Sequence, residues 1–319
     1  MNGRRSRSSK SMRLTTIDIG TNTILMLVAD LHPDGRILTI RDEHVIAGLG
    51  RGVDENRRIS SETIERVLNF LRDFKRISDE NASERIIASG TSALRDAANR
   101  DDFIAAIAEQ LGFTVEVLGG DEEAELTYIG AVTEFLQAEK ERSFAVLDIG
   151  GGSTELTLGT DDRVRSKQSL DLGCVRLTER FLKSSPPSSL SMNHALNEIR
   201  SKIGSYPGLP AATELIGVAG TLTTLAAMDL GLESYDRARV SGHVLTFETI
   251  QQIFNHLRIK SVSEILEHPQ VLAGRADILL AGILILLEVM KKLNAGRITV
   301  SDRGLRFGLV AREHHRATS

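Results

Sequence analysis

A single cysteine, Cys174, in 319 residues leaves no internal disulfide to form and fits a reducing cytoplasm, the expected location. It sits in an apolar-flanked glycine turn with no evident histidine partner, so it reads as a packed small residue and not as a nucleophile. The eight histidines are scattered without ligand spacing, which argues against a zinc site. Charge of one sign is also lacking: the net charge is −4, so no partner class follows from it, and any polyanion must be met by locally concentrated arginines. Long apolar runs are missing too. The longest, Ile278 to Leu287, is too short to cross a bilayer and reads as a buried helix. No segment looks like a signal peptide. Residues 1–11, basic and serine-rich, read as a disordered tail upstream of a start at Met12; neither membrane nor nucleic acid is expected as a partner.

What is present is a turn that occurs twice. Leu14-Thr15-Thr16-Ile17-Asp18-Ile19-Gly20-Thr21-Asn22-Thr23 returns as Phe144-Ala145-Val146-Leu147-Asp148-Ile149-Gly150-Gly151-Gly152-Ser153-Thr154-Glu155. In each, an apolar, β-prone run delivers an Asp, small residues turn the backbone, and a second β-prone run follows. Glycines let backbone N–H groups point at an anion, and the Asp can hold a metal ion or its water. One such turn alone is more often an ordinary hairpin. A third element, Leu215-Ile216-Gly217-Val218-Ala219-Gly220-Thr221-Leu222, reads as a strand, a glycine turn and a helix; alone, a plain strand-to-helix loop explains it equally well. In this order the three elements resemble the actin, Hsp70 and hexokinase superfamily.

The intervening segments resemble one branch, the exopolyphosphatase and guanosine pentaphosphatase (Ppx/GppA) family, from about Met12 to about Val310. Ser89-Gly90-Thr91-Ser92-Ala93-Leu94-Arg95 is similar to its arginine segment, and Gly119-Gly120-Asp121-Glu122-Glu123-Ala124 to its catalytic-glutamate segment. Leu172-Gly173-Cys174-Val175-Arg176-Leu177-Thr178 and Ser301-Asp302-Arg303-Gly304-Leu305-Arg306-Phe307-Gly308 match two further blocks. The first loop carries Thr21-Asn22-Thr23 where the family more often has Ser-Asn-Ser, and the match around Val240 to His243 is loose. The sequence stops soon after the last block, so a short form without the family's helical C-terminal extension is expected.

Phosphoryl transfer to water needs a base, a counter-charge for the phosphoryl oxygens and usually magnesium. The resemblance implies Glu123 as the base; without it, Asp121, Glu122 and Glu123 would read as first-turn acids of a helix. Arg95, whose fork matches two phosphate oxygens, would stabilise the transferring group; a surface salt bridge to Asp96 or Asp101 is its plain alternative. Asp148, Glu155 and Asp18 are the expected magnesium ligands, with a monovalent cation as an open addition. Gly20, Thr21, Asn22, Thr23, Gly150, Gly151, Gly152, Ser153 and Thr154 would cradle phosphates. Gly220, Thr221, Arg176, Arg275, Arg303 and Arg306 are candidates for the remaining substrate path. The substrate implied is inorganic polyphosphate, or guanosine pentaphosphate as the alternative; a superfamily kinase and a non-catalytic sensor are readings from other classes. A homodimer is left open.

Alternating strands and helices suit two α/β domains of ribonuclease H-like type with the active site in the cleft between them. The expected division is 12–137 plus about 303–319 for the N-terminal domain and 138–302 for the C-terminal one. Ile64, Val67, Leu68 and Leu71 recur at helical spacing after Ser60-Ser61 and predict a helix over 61–75. Strands are expected at 86–89, 114–117 and 298–300, and a last helix that returns to the first domain.

Overall fold

The computed structural model describes residues 11–136 and 141–318. The expected tail, except Ser11, and most of the expected crossing at 137–142 lie outside these residues. Two mixed sheets carry the fold. The first runs β1 (Met12–Ile19), β2 (Thr23–Leu31), β3 (Ile37–Ile46), β4 (Arg85–Gly90) and β5 (Val115–Val117), in the order β3-β2-β1-β4-β5. The second holds β6 (Ser143–Ile149), β7 (Thr154–Thr160), β8 (Arg163–Leu170), β9 (Glu214–Val218), β10 (Val244–Thr246) and β11 (Arg297–Val300), ordered β10-β11-β9-β6-β7-β8.

Read from β8, the second sheet repeats the first, three antiparallel strands and then two parallel ones, and adds β10 antiparallel at its far edge. The repeated sequence turn is the structural repeat as well. Gly20 N–H donates to Thr23 O at 3.1 Å, and Gly150 N–H to Ser153 O at 3.0 Å, each closing the turn between two strands.

Helices cover both sheets. The predicted helix after Ser60 forms and extends to Ser61–Glu80, with the Ser60 hydroxyl accepting from Thr63 N–H at its start. Its buried face of Val67, Leu68, Leu71 and Phe74 packs into the core of the first sheet. The apolar stretch after Arg275 becomes the helix Ala276–Leu293, packed within the core of the second sheet. Among the described residues, no helix is long and apolar enough to cross a membrane.

The helix Gly120–Val132 bridges the two sheets. Leu126 joins the cluster with Leu14, Leu27 and Phe307, whereas Tyr128, Ala131 and Val132 join Phe144, Val146 and Val218. A helix with apolar contacts on both sides has few positions left for solvent, and eight of its thirteen residues are buried. The C-terminal helix, Leu305–Thr318, packs on it and on β1 and β2, as expected from the sequence.

Two glycines make that helix pairing close. A Cβ added at Gly308 would lie 1.9 Å from Leu126 O, and one at Gly130 would lie 2.1 Å from Gly304 O. Backbone cannot yield as a side chain can. Gly308→Ala is therefore expected to destabilise the fold by about 3 kcal/mol or more, the upper part of the range for overpacking, measured as a lowered denaturation midpoint.

Candidate active site

Both Asp-Gly turns open into one cavity of about 490 Å³ between the sheets. Asp18, Gly20, Thr21, Asn22 and Thr23 line it from one side, and Asp148, Gly150, Gly151, Gly152 and Ser153 from the other. The turns touch, since a Cβ at Gly152 would come within 3.0 Å of Thr21 Oγ1 and one at Gly151 within 2.9 Å of Thr21 Cβ. Glycine is what allows the two loops to approach this closely. Thr154 differs from the rest of its loop: its side chain is buried and donates to Leu172 O, away from the cavity.

Glu123 reaches the cavity from the first turn of the bridging helix. Arg95, in the last turn of the short helix Ser92–Asp96, meets it there. Arg95 Nη1 donates to Glu123 Oε2 at 2.6 Å and to Leu118 O at 3.0 Å, while Nη2 lies 3.5 Å from Ser153 Oγ. The surface alternative for Arg95 is thereby replaced by a partly buried pair at the cleft wall. Burial raises the Glu123 carboxyl above its ordinary range, and Arg95 opposes that rise.

The other carboxylates are stacked against this pair. Burial, with the charge of Glu123, pushes Asp148 up to about 7. Asp18 and Glu155 are raised well above the ordinary range, by burial first and then by Glu123 and Asp148. Glu155 is directly opposite Asp148 in the β6–β7 register, and its Oε1 accepts from Ser169 Oγ at 2.7 Å. Glu155 Oε2 and Asp18 Oδ1 are buried without a hydrogen-bond partner. Four mutually repelling carboxylates, two of them with an orphaned oxygen, are what a bound cation would relieve.

Among the described residues, no three His, Cys, Asp or Glu side chains converge into a cage able to hold a metal on protein ligands alone. This donor set fits magnesium, which keeps several waters and takes one or two carboxylates plus phosphate oxygens. The linkage has a definite sign. A carboxyl whose folded-state value is raised binds its proton more tightly in the native state, so without cation the native state loses stability as pH rises from about 4 to about 7. Magnesium is expected to reverse this, raising the thermal midpoint more at pH 8 than at pH 5. Thermal melts with magnesium or a chelator at the two pH values check it.

The candidate path residues divide. Gly220, Thr221, Arg275, Arg303 and Arg306 line the cavity, together with Asp42, Glu43, Tyr235, Arg237 and Asp302. Arg275 donates to Thr224 Oγ1 at 3.0 Å. Arg306 donates to Asp42 Oδ2 at 3.0 Å, and Arg237 to the same oxygen at 2.6 Å. Arg176 does not line the cavity. It is buried behind the second turn, where Nε donates to Gly152 O at 2.9 Å and the guanidinium pairs with Asp54 and Asp96. This corrects its expected place on the anion path: the arginine fastens the glycine turn to the first half of the chain, and its charge is spent on two carboxylates. Cys174 is buried as expected, and burial pushes its thiol up to about 12.

Ser92, Ser169, Asp42 and Tyr235 were not among the sequence candidates. Ser92 lay inside the arginine segment and was readable there. The other three meet the site through strand register or long-range packing, for which the linear sequence has no signal.

The model of the Ppx/GppA phosphatase family matches residues 27–317. The chain belongs to the Ppx/GppA phosphatase family. Exopolyphosphatase 2 of Mycobacterium tuberculosis is 37% identical, over 93% of this chain and 97% of that protein. The guanosine-5′-triphosphate,3′-diphosphate pyrophosphatase of Vibrio cholerae is 29% identical, over 96% of this chain and 60% of that protein. The crystal structure of the Aquifex aeolicus family member is similar with a TM-score of 0.81 and 31% identity, covering 97% of this chain and 99% of that one. The two-domain fold of this family is the architecture described above.

Proposed function

We propose that this Ppx/GppA phosphatase removes terminal orthophosphate from inorganic polyphosphate, with Glu123 as the base that activates water. The observation that carries this reading is Glu123, which lines a cleft shared by both Asp-Gly turns and is paired there with Arg95 behind the cleft wall. Arg95 opposes the rise that burial imposes on Glu123 and so favours the carboxylate form, the form that can accept a proton from water. The water oxygen bonds to the terminal phosphorus, the bond from that phosphorus to the bridging oxygen breaks, and the shortened chain leaves with the bridging oxygen and its electron pair. Backbone N–H groups of Gly151 to Ser153 and of Thr21 to Thr23 orient the terminal phosphates, and Arg95 neutralises charge on the group in transfer. Magnesium held by Asp148, with Asp18 and Glu155 around it, would supply the main counter-charge to the non-bridging oxygens.

Guanosine pentaphosphate is the second reading, and a specific observation favours it. Beyond the turns the cavity wall includes Leu25, Leu232, Pro269 and Leu272, and its distal arginines already face Asp42 and Asp302. That half suits an organic moiety better than a long run of phosphates, so short polyphosphates are expected to be turned over faster than very long ones. Competition between polyphosphates of graded length and guanosine pentaphosphate, read as phosphate release, tests both readings. Equal turnover of short and very long chains would contradict the length preference; consumption of the nucleotide alone would transfer the assignment to it.

A further inference from the structure

We propose that Arg176 is a positioning residue of the reaction: its side chain fixes the last carbonyl of the second turn, so that the free N–H groups of that turn face the terminal phosphates. The inference rests on the phosphate cradle of the reading above.

The second turn has its carbonyls gathered on one side. Cys174 N–H donates to Gly150 O at 3.0 Å, and Val175 and Arg176 N–H donate to Gly151 O at 2.8 and 3.2 Å. All three donors belong to the first turn of the helix Cys174–Phe181. The helix start is pressed onto the loop, since a Cβ at Gly173 would lie 2.3 Å from Gly151 O. The next carbonyl, Gly152 O, takes no backbone donor among the described residues; Arg176 Nε donates to it at 2.9 Å instead. In a trans peptide the C=O and the following N–H point in opposite directions, so the N–H groups of Gly151, Gly152 and Ser153 are turned away from their carbonyls' partners. These three N–H groups enter no backbone hydrogen bond among the described residues, and all three residues line the cavity.

The first turn shows the same arrangement made differently. Thr21 O accepts from Gly50 N–H at 2.7 Å, and Asn22 O accepts from Ala47 and Gly48 N–H, both at 2.9 Å. Asn22 corresponds to Gly152 in the repeat. The second turn therefore uses one side chain where the first uses backbone, and that side chain can be changed without touching the loop.

Arg176 is itself held in place. Its guanidinium pairs with Asp54 and, at 2.6 Å, with Asp96, and the side chain is buried. Asp54 is held in turn by Arg180 at 2.6 Å. Asp96 follows Arg95 in the short helix Ser92–Asp96, so the helix that presents Arg95 to Glu123 also anchors the phosphate turn. A fork fixed by carboxylates at its far end leaves Nε one place to donate, and a charged donor makes the stronger bond.

Two substitutions separate these contacts. Arg176→Lys puts a methylene where Nε stands and keeps a cation for Asp54 and Asp96; Arg176→Gln keeps an N–H donor at the Nε position and removes the cation. Orthophosphate is titrated calorimetrically into the wild type and both variants, with a thermal melt of each. Arg176→Lys is expected to bind orthophosphate about 10-fold more weakly at unchanged stoichiometry, the scale of one lost charge-assisted hydrogen bond, with a matching fall in kcat/KM on polyphosphate. Arg176→Gln is expected to recover most of that affinity while melting at a lower temperature, because it leaves buried carboxylates without their partner. The opposite order, with Arg176→Lys at wild-type affinity and Arg176→Gln weakened, would overturn the proposal and leave Arg176 as an ion-pair residue only. Fewer binding sites of wild-type affinity in Arg176→Lys would overturn it too, since that marks partial unfolding. If Arg176→Gln does not fold, the affinity of Arg176→Lys decides alone. A wild type that binds no orthophosphate would overturn the phosphate-cradle reading itself, a failure distinct from that of Arg176.

Discussion

Glu123→Gln lowers kcat on polyphosphate by about 10³-fold while substrate binding persists, if this carboxylate is the base; loss of a general base costs typically 10²–10⁴. The substitution is close to isosteric, and the amide oxygen can still accept from Arg95, so the loss would report proton transfer and not collapse of the site. Glu122 provides the control. It is exposed, pairs with Arg312 at 3.1 Å and points away from the cavity, so Glu122→Gln is expected to keep wild-type kcat within about 2-fold, as surface substitutions away from a site do. Steady-state kinetics of the two variants decide the matter: activity in Glu123→Gln within 10-fold of wild type would remove Glu123 from the mechanism.

Arg95→Ala is expected to cost about 10³-fold in kcat, the scale seen when a charge-stabilising arginine or oxyanion donor is lost. A second effect follows from the same contact. Arg95 is what opposes the burial of Glu123, so without it the Glu123 carboxyl rises further and a larger share of the base is protonated at a given pH. The acid limb of the pH–rate profile of Arg95→Ala is therefore expected at higher pH than that of the wild type. Arg95→Lys should restore little, since a compact ammonium lacks the planar fork whose two nitrogens here reach Glu123 and Leu118 O on one side and Ser153 Oγ on the other. The double variant with Glu123→Gln should be hardly worse than either single one, because the two residues act as a unit. A pH–rate profile for each variant checks both effects; an unshifted acid limb would separate Arg95 from Glu123.

Much of this site was legible because its chemistry is carried by contiguous turns. Asp18 to Thr23 and Asp148 to Glu155 need only a local strand–turn–strand fold to present their donors, and the repeat betrayed the two-fold plan of the sheets. Glu123 and Arg95 were readable through resemblance, but that they form a pair was not: their contact depends on how the bridging helix sits against the helix Ser92–Asp96. Arg176 shows the opposite failure. An arginine beside a glycine turn looks like an anion ligand in sequence, and only packing reveals that Asp54 and Asp96 already hold it. Thr154 likewise continues the phosphate loop in sequence, yet strand alternation turns its hydroxyl to Leu172 O. The distal arginines were read as charge, whereas Asp42 and Asp302, which offset them, come from separate elements.

The measurement closest to the central claim is hydrolysis of polyphosphate in ¹⁸O-labelled water, with products resolved by mass. Attack of water on the terminal phosphorus predicts that each released orthophosphate carries one labelled oxygen and that the shortened chain carries none. Label at the chain ends, internal fragments, or unlabelled phosphate passed to an acceptor would contradict the account.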